Sequence, residues 1–171
     1  MSFLVACASS HDSKNAPSAP GSTQKVAHNE TAPAGDIPDT QAWVVYHGPG
    51  YQVVYPDGWA RSSRGGAEQF ASGYDGEEVL MKGAAEMLRE QRAIRGLVSK
   101  HAALPAGDAT MYVFTSDSAQ NPVTGKHVRL ENNSYVFTHG PRTVTLSLWA
   151  PIGSDNVDQW RHIAGSFQWV K

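Results

Sequence analysis

Apolar residues alternate with polar or smaller ones along Tyr51–Tyr55, a period of two that predicts a strand. Pro56-Asp57-Gly58 is turn chemistry and ends it. Trp59–Ser63 and Glu68–Ser72 read as further strands on either side of Arg64-Gly65-Gly66. Glu77–Lys82 follows a second turn at Tyr74-Asp75-Gly76. From Ala84 to about Ser99 the period changes. Ala84, Met87, Leu88, Ile94, Leu97 and Val98 fall near one stripe, with Glu86, Arg89, Glu90, Arg92 and Arg95 largely off it, which predicts a helix. Gly96 disfavours its last turn, and Leu104-Pro105-Ala106-Gly107 breaks the chain.

Met111, Val113 and Thr115 alternate with Tyr112 and Phe114, so that strand is expected to be apolar on both faces and central. His127–Thr138 carries Val128 and Leu130 in one phase and Tyr135 and Phe137 in the other. The change near Asn132-Asn133 predicts a bulge or bend. His139-Gly140-Pro141 joins this strand to Thr143–Trp149 as an antiparallel pair. Asp155 then offers an N-cap, with Asp158 three residues later as in a capping box. Val157, Trp160, Ile163, Ala164 and Phe167 follow at helical spacing. Runs of strands with one helix between them and one after predict an α+β architecture, an antiparallel sheet with helices packed on its faces.

Composition divides the 171 residues in two. All five tryptophans and all six tyrosines lie after residue 40. From Ala8 to Thr40 the chain is mostly Ala, Ser, Thr, Pro and Gly, and such a segment cannot bury enough apolar surface to offset roughly 1–2 kcal/mol of backbone entropy per residue. It reads as a disordered linker, residues 8–40, leading to one domain over residues 41–171. With 14 Lys+Arg against 16 Asp+Glu the net charge is −2, so there is no basic field for bulk nucleic-acid binding. A single cysteine excludes an intramolecular disulfide framework.

That cysteine carries the most specific chemistry. Leu4-Val5-Ala6-Cys7 matches the bacterial lipobox, in which the thiol takes a diacylglyceryl group and cleavage makes the cysteine the new N-terminus. Cys7 is therefore the expected lipid-attachment residue, residues 1–7 the remnant of a lipoprotein signal, and the linker a tether from membrane to domain. A full signal needs a basic n-region and roughly 7–15 apolar residues. Only Met1–Ala6 precede Cys7 and none is basic, so the rest of the signal is expected upstream.

Other candidates reduce to structural roles. Asn121–Lys126 lacks the upstream Gly and the following Ser/Thr of a phosphate loop and reads as a turn into the next strand. Ser154–Asp158 lacks the acids of a calcium loop and reads as helix capping. No two of the seven histidines have the helical i, i+4 spacing of a zinc protease, and no G-x-S-x-G elbow exists. No catalytic, cofactor or metal residue is assigned. A Ser-His-Asp set dispersed in the sequence is not legible from one chain. The five tryptophans with Tyr51, Tyr55 and Tyr74 could build a ligand-stacking surface, although core packing is the commoner use of such residues.

Several segments together resemble a family. Gly48-Pro49-Gly50-Tyr51 through Tyr55–Trp59 is similar to the opening hairpin of bacterial PsbP-like lipoprotein domains. Leu104–Gly107 and Pro122–Lys126 are similar to segments of actinobacterial examples. The same holds for Leu146–Pro151, Asp155–Asp158, Trp160 and Ser166–Trp169 at the end of the chain. The resemblance implies an α/β/α sandwich around an antiparallel sheet, shared with the photosystem PsbP subunit and the nuclear-transport Mog protein. It also implies a role in binding proteins. PsbP assists a metal cluster, but no ligand set can be matched onto this sequence.

The resulting expectation is a non-enzymatic accessory module, lipid-anchored on the extracytoplasmic face of a bacterial membrane, that binds a protein or another envelope component. The alternative is a carrier for a small ligand or a metal.

Overall fold

The computed structural model describes residues 35–171. Cys7 and linker positions up to residue 34 lie outside the described residues. The elements in chain order are β1 (Trp43–Gly48), β2 (Tyr51–Pro56), β3 (Ala60–Arg64), β4 (Ala67–Ser72), β5 (Asp75–Leu80), α1 (Ala84–Glu90), β6 (Arg92–Leu104), β7 (Gly107–Asp117), β8 (Arg129–His139), β9 (Arg142–Pro151), α2 (Val157–Ser166) and β10 (Gln168–Trp169). They form two antiparallel sheets, one of three strands in the order β1-β2-β10 and one of seven in the order β3-β4-β5-β9-β8-β7-β6.

Local chemistry sets the hairpins. Pro49-Gly50 turns β1 into β2, with Gly50 at φ 85°, a value open to glycine because it has no Cβ. Gly140-Pro141 joins β8 to β9, with His139 opposite Arg142. In β9 every residue from Val144 to Leu148 is buried, as expected for a strand at the centre of a sheet covered on both sides.

One face of the seven-stranded sheet, called inner here, carries Val79, Phe137, Val144, Leu146 and Leu148. They form one core with Tyr51 and Val53 of β2 and with Ile163, Ala164 and Phe167 at α2. Phe167 stacks on Phe137 at 4.2 Å and on Tyr51 at 5.8 Å, which ties both sheets and the end of α2 together. On the outer face Leu80, Ala67 and Phe114 meet Met87 of α1. Beyond this cluster the outer face turns polar, and its buried groups are paired. Ser134 donates to Ser147 Oγ at 3.0 Å, Asn132 Nδ2 to Ser116 Oγ at 2.9 Å, and Thr145 Oγ1 to the Lys82 carbonyl at 2.8 Å.

The segment preceding β1 is tied down. Ile37 is 4% exposed and belongs to the inner core. Its N–H donates to Asn156 Oδ1 at 2.7 Å, while Asn156 Nδ2 donates to the Gly35 carbonyl at 2.6 Å. Asp155 N–H donates to Asp36 Oδ1, and Gln159 Nε2 to Asp39 Oδ1.

The structure corrects several expectations. The fold is not an α/β/α sandwich with helices covering the sheet faces. It is mostly β, two antiparallel sheets with two short helices, α1 of 7 residues and α2 of 10. α1 buries only Met87, and the second sheet shares the inner face with α2. The helix expected over 84–99 stops at Glu90, and Arg92–Leu104 is the edge strand β6. β7 is second from that edge, not central. β8 pairs without interruption through Asn132-Asn133 on both sides, so the bulge expected there is absent; the register shifts lie in β6, at Arg92/Arg95 and Arg95/Val98. The helix-capping position is Asn156, whose side chain makes no cap bond because it holds the 35–37 segment instead. Asp158 pairs with Arg161 rather than closing a capping box.

Candidate functional site

Two recesses flank the seven-stranded sheet. The inner one, about 340 Å³, lies between the start of α2 and the exposed parts of β7 and β8. Met111, Val113, Tyr135, Val157 and Trp160 give it an apolar lining, and Glu131, Asn133 and Arg161 stand among them. Burial pushes the Glu131 carboxyl up, partly opposed by a backbone hydrogen bond from Gly153. The apolar surface continues outward. Val98 is the register partner of Val113 and is 48% exposed, and Val157, at the first turn of α2, is 63% exposed. An apolar recess with a few convergent polar groups is a common form of binding site.

The outer recess is a groove of about 1010 Å³ across β4, β5, β9, β8 and β7. Its walls are the end of α1 with Gln91-Arg92, the segment Asp117–Pro122, and the turns at Gly65 and Tyr74. The floor is made of side chains that alternate onto the outer face. Trp149 is the register partner of both Gly76 and Asn132, and Gln69 of Glu78. A Cβ on Gly76 would run into the Trp149 indole, so the ring lies across the β5 backbone at this glycine. At the rim, Tyr74 is 37% exposed and its hydroxyl accepts from Asn121 Nδ2 at 3.2 Å. Burial, and then the nearby Glu90, push the Glu78 carboxyl above the ordinary range.

Two acids face the inner side of β5. Glu77 is fully buried with both oxygens unpartnered among the described residues, and burial pushes its pKa well above the ordinary value. Asp75, beside Asp36, is pushed up to about 6, first by burial and then by that neighbouring charge.

The solution structure of cyanobacterial PsbP (CyanoP) from Synechocystis sp. PCC 6803 superposes with a TM-score of 0.54, over 81% of this chain and 100% of that one, at 14% sequence identity. The fold is PsbP-like. No family model matches the chain, and no curated protein does.

The PsbP-like domain places the aromatic residues read from the sequence in different roles. Tyr51 is buried in the core and Tyr55 stacks on Phe70 at 4.2 Å, so neither offers a binding surface. Trp43 packs against His162, and Trp169 lies between Phe167 and the Arg142 guanidinium. Trp59 packs against the inner core. Trp160 lines the inner recess, while Trp149 and Tyr74 both line the outer groove.

Asn121 Oδ1 accepts from the N–H groups of Val123 and Thr124, which makes 121–126 an Asx-stabilised turn. The histidines are spread out: His101 pairs with Asp108, His127 Nδ1 sits 2.7 Å from the Ser118 carbonyl, and His139 lies near Trp169. Among the described residues no three His, Cys, Asp or Glu come close enough to hold a metal ion, and no helix is long and apolar enough to cross a membrane.

Sequence reading missed Gln69, Glu78 and Asn132 as groove residues. Only Asn132 left a signal, the phase change at Asn132-Asn133, where the outer face of β8 turns from Leu130 to polar residues.

Proposed function

We propose that this chain is a non-enzymatic accessory module, tethered through a lipid on Cys7 to the extracytoplasmic face of a bacterial membrane, whose PsbP-like domain binds a protein partner in the envelope. The observation that carries the reading is the PsbP-like fold, joined to a sequence resemblance to domains that work by binding proteins. The inner recess supports it, since Val98 and Val157 expose apolar surface on either side of a depression already lined by Met111, Val113 and Trp160. The anchor is supported by the sequence alone: the only cysteine follows small residues and precedes a Ser/Ala/Pro-rich linker. One acyl chain binds a membrane only marginally, with K on the order of 10⁴ M⁻¹, so stable attachment needs the multiple chains of bacterial lipoproteins.

Fractionation of cells expressing the chain behind a complete signal tests the anchor. Wild type is expected in the membrane pellet and Cys7→Ala in the soluble fraction. Equal membrane association of the two would overturn the lipid tether. The second reading, a small-ligand carrier, is favoured by the size of the outer groove.

A further inference from the structure

We infer that the outer groove binds a neutral oligosaccharide, with Trp149 as the platform for one sugar ring. The reading is independent of the protein partner proposed for the opposite face.

The floor has the two kinds of surface that a pyranose presents. Sugars expose an apolar face of C–H groups and a rim of hydroxyls that both donate and accept. Trp149 supplies the first match. Its indole lies across Gly76, where a side chain would otherwise stand, and it lines the groove from this position. Ala71 of β4, the register partner of Gly76, keeps the floor open beside the ring. Tyr74 provides a second aromatic at the rim.

The hydroxyl-matching groups stand around this platform. Gln69 and Glu78 sit side by side across β4 and β5, and Gln91 faces them from the end of α1. None of these three side chains has a hydrogen-bond partner among the described residues, so their donors and acceptors are open to a ligand. Asn132, on the far side of Trp149, is held in place by bonds from its Nδ2 to Ser116 and to the Phe114 and Leu130 carbonyls.

Other ligand classes fit less well. The groove crosses the middle of the sheet, where each backbone group is paired with a neighbouring strand, so an extended peptide cannot add as a further strand. Glu78, Glu90 and Asp117 line the groove against Arg64 and Arg92, so its charges are mixed and offer no basic field to a polyanion. A purely apolar ligand would strand the open amides and carboxylates without partners. The volume, about 1010 Å³, lies at the upper end of the range for ligand pockets, room enough for a short chain of sugars.

Titration calorimetry on the purified full chain, with chitohexaose, cellohexaose, maltohexaose and mannohexaose as probes, tests this. At least one is expected to bind with a submillimolar dissociation constant. Trp149→Ala is expected to weaken it at least tenfold. Gln69→Ala, a partly exposed position whose loss leaves the core intact, is expected to weaken it several-fold with unchanged thermal unfolding. Binding by none of the four, or binding that both variants leave unchanged, overturns the inference. So does competition for the groove by an unrelated peptide pool with no response to any sugar.

Discussion

Replacing Glu77 by leucine or by glutamine separates two costs that this carboxyl imposes on the fold. The side chain projects inward from β5, with Phe70 and Leu148 as its register partners. It is fully buried and neither oxygen has a partner among the described residues. Burial holds its pKa well above the ordinary carboxylate value, so it is protonated in the fold where an exposed glutamate is charged.

An unsatisfied buried polar group costs about 1–3 kcal/mol, so Glu77→Leu should raise the unfolding free energy by about that much even where both states are protonated. The titration adds a second cost with a definite sign. Below the ordinary carboxylate value, folded and unfolded chains both carry the proton and Glu77 adds no pH dependence. Above it the unfolded chain ionises first, and wild-type stability falls with rising pH by up to about 1.4 kcal/mol per unit until the raised folded pKa is reached. Glu77→Gln keeps the polar cost and removes the titration. Urea unfolding followed by tryptophan fluorescence between about pH 5 and pH 7 reads both. The glutamine variant should gain on wild type as pH rises, and the leucine variant should be the more stable throughout. A gap between wild type and Glu77→Gln that stays constant with pH, or a leucine variant less stable than wild type, would refute the reasoning.

Three further outcomes follow from the same structure. Asp75, pushed up to about 6, makes wild-type stability fall as pH rises from the ordinary carboxylate value of 3.8 toward 6. Asp75→Asn should flatten that part of the curve, and identical slopes in thermal melts would contradict it. Asn156→Ala strands the Ile37 N–H and the Gly35 carbonyl, at a cost of about 1–3 kcal/mol. Hydrogen exchange at Ile37 should quicken, and an unchanged rate would show that the 35–37 segment is held by something else. Gly76→Ala drives a methyl into the Trp149 indole, and overpacking of this kind costs about 1–3 kcal/mol; a variant as stable as wild type would mean that the ring does not lie where it is described.

What was legible in the sequence, and what was not, has local physical causes. The β2 strand and the Gly140-Pro141 hairpin were readable because turn residues bracket clean alternation. β6 was misread as helix because its register shifts displace Ile94, Leu97 and Val98 from a period of two. The left-handed backbone at Ala93 and Gly96, φ 49° and 63°, accompanies these irregularities, and the apolar spacing left behind imitates a helical stripe. In β8 the phase change was real as a pattern but not as geometry. The strand pairs without interruption on both sides; on its outer face Asn132 lines the groove and Ser134 is buried against Ser147. The start of α2 was placed one residue early, since Asn156 uses its side chain on a segment more than a hundred positions upstream, a contact no local motif announces. Neither recess was visible as such, because each draws its lining from several strands that only the sheet order brings together.

The central claim is that the inner face of this PsbP-like domain meets a partner at the membrane. Site-specific photo-crosslinking in intact cells tests it most directly, with the reactive group placed at Val157 beside the inner recess and, as a control, at Val123 on the exposed 121–126 turn. A discrete adduct formed from position 157 and missing from position 123 is the predicted result. No adduct from position 157, or the same products from both positions, would contradict the account.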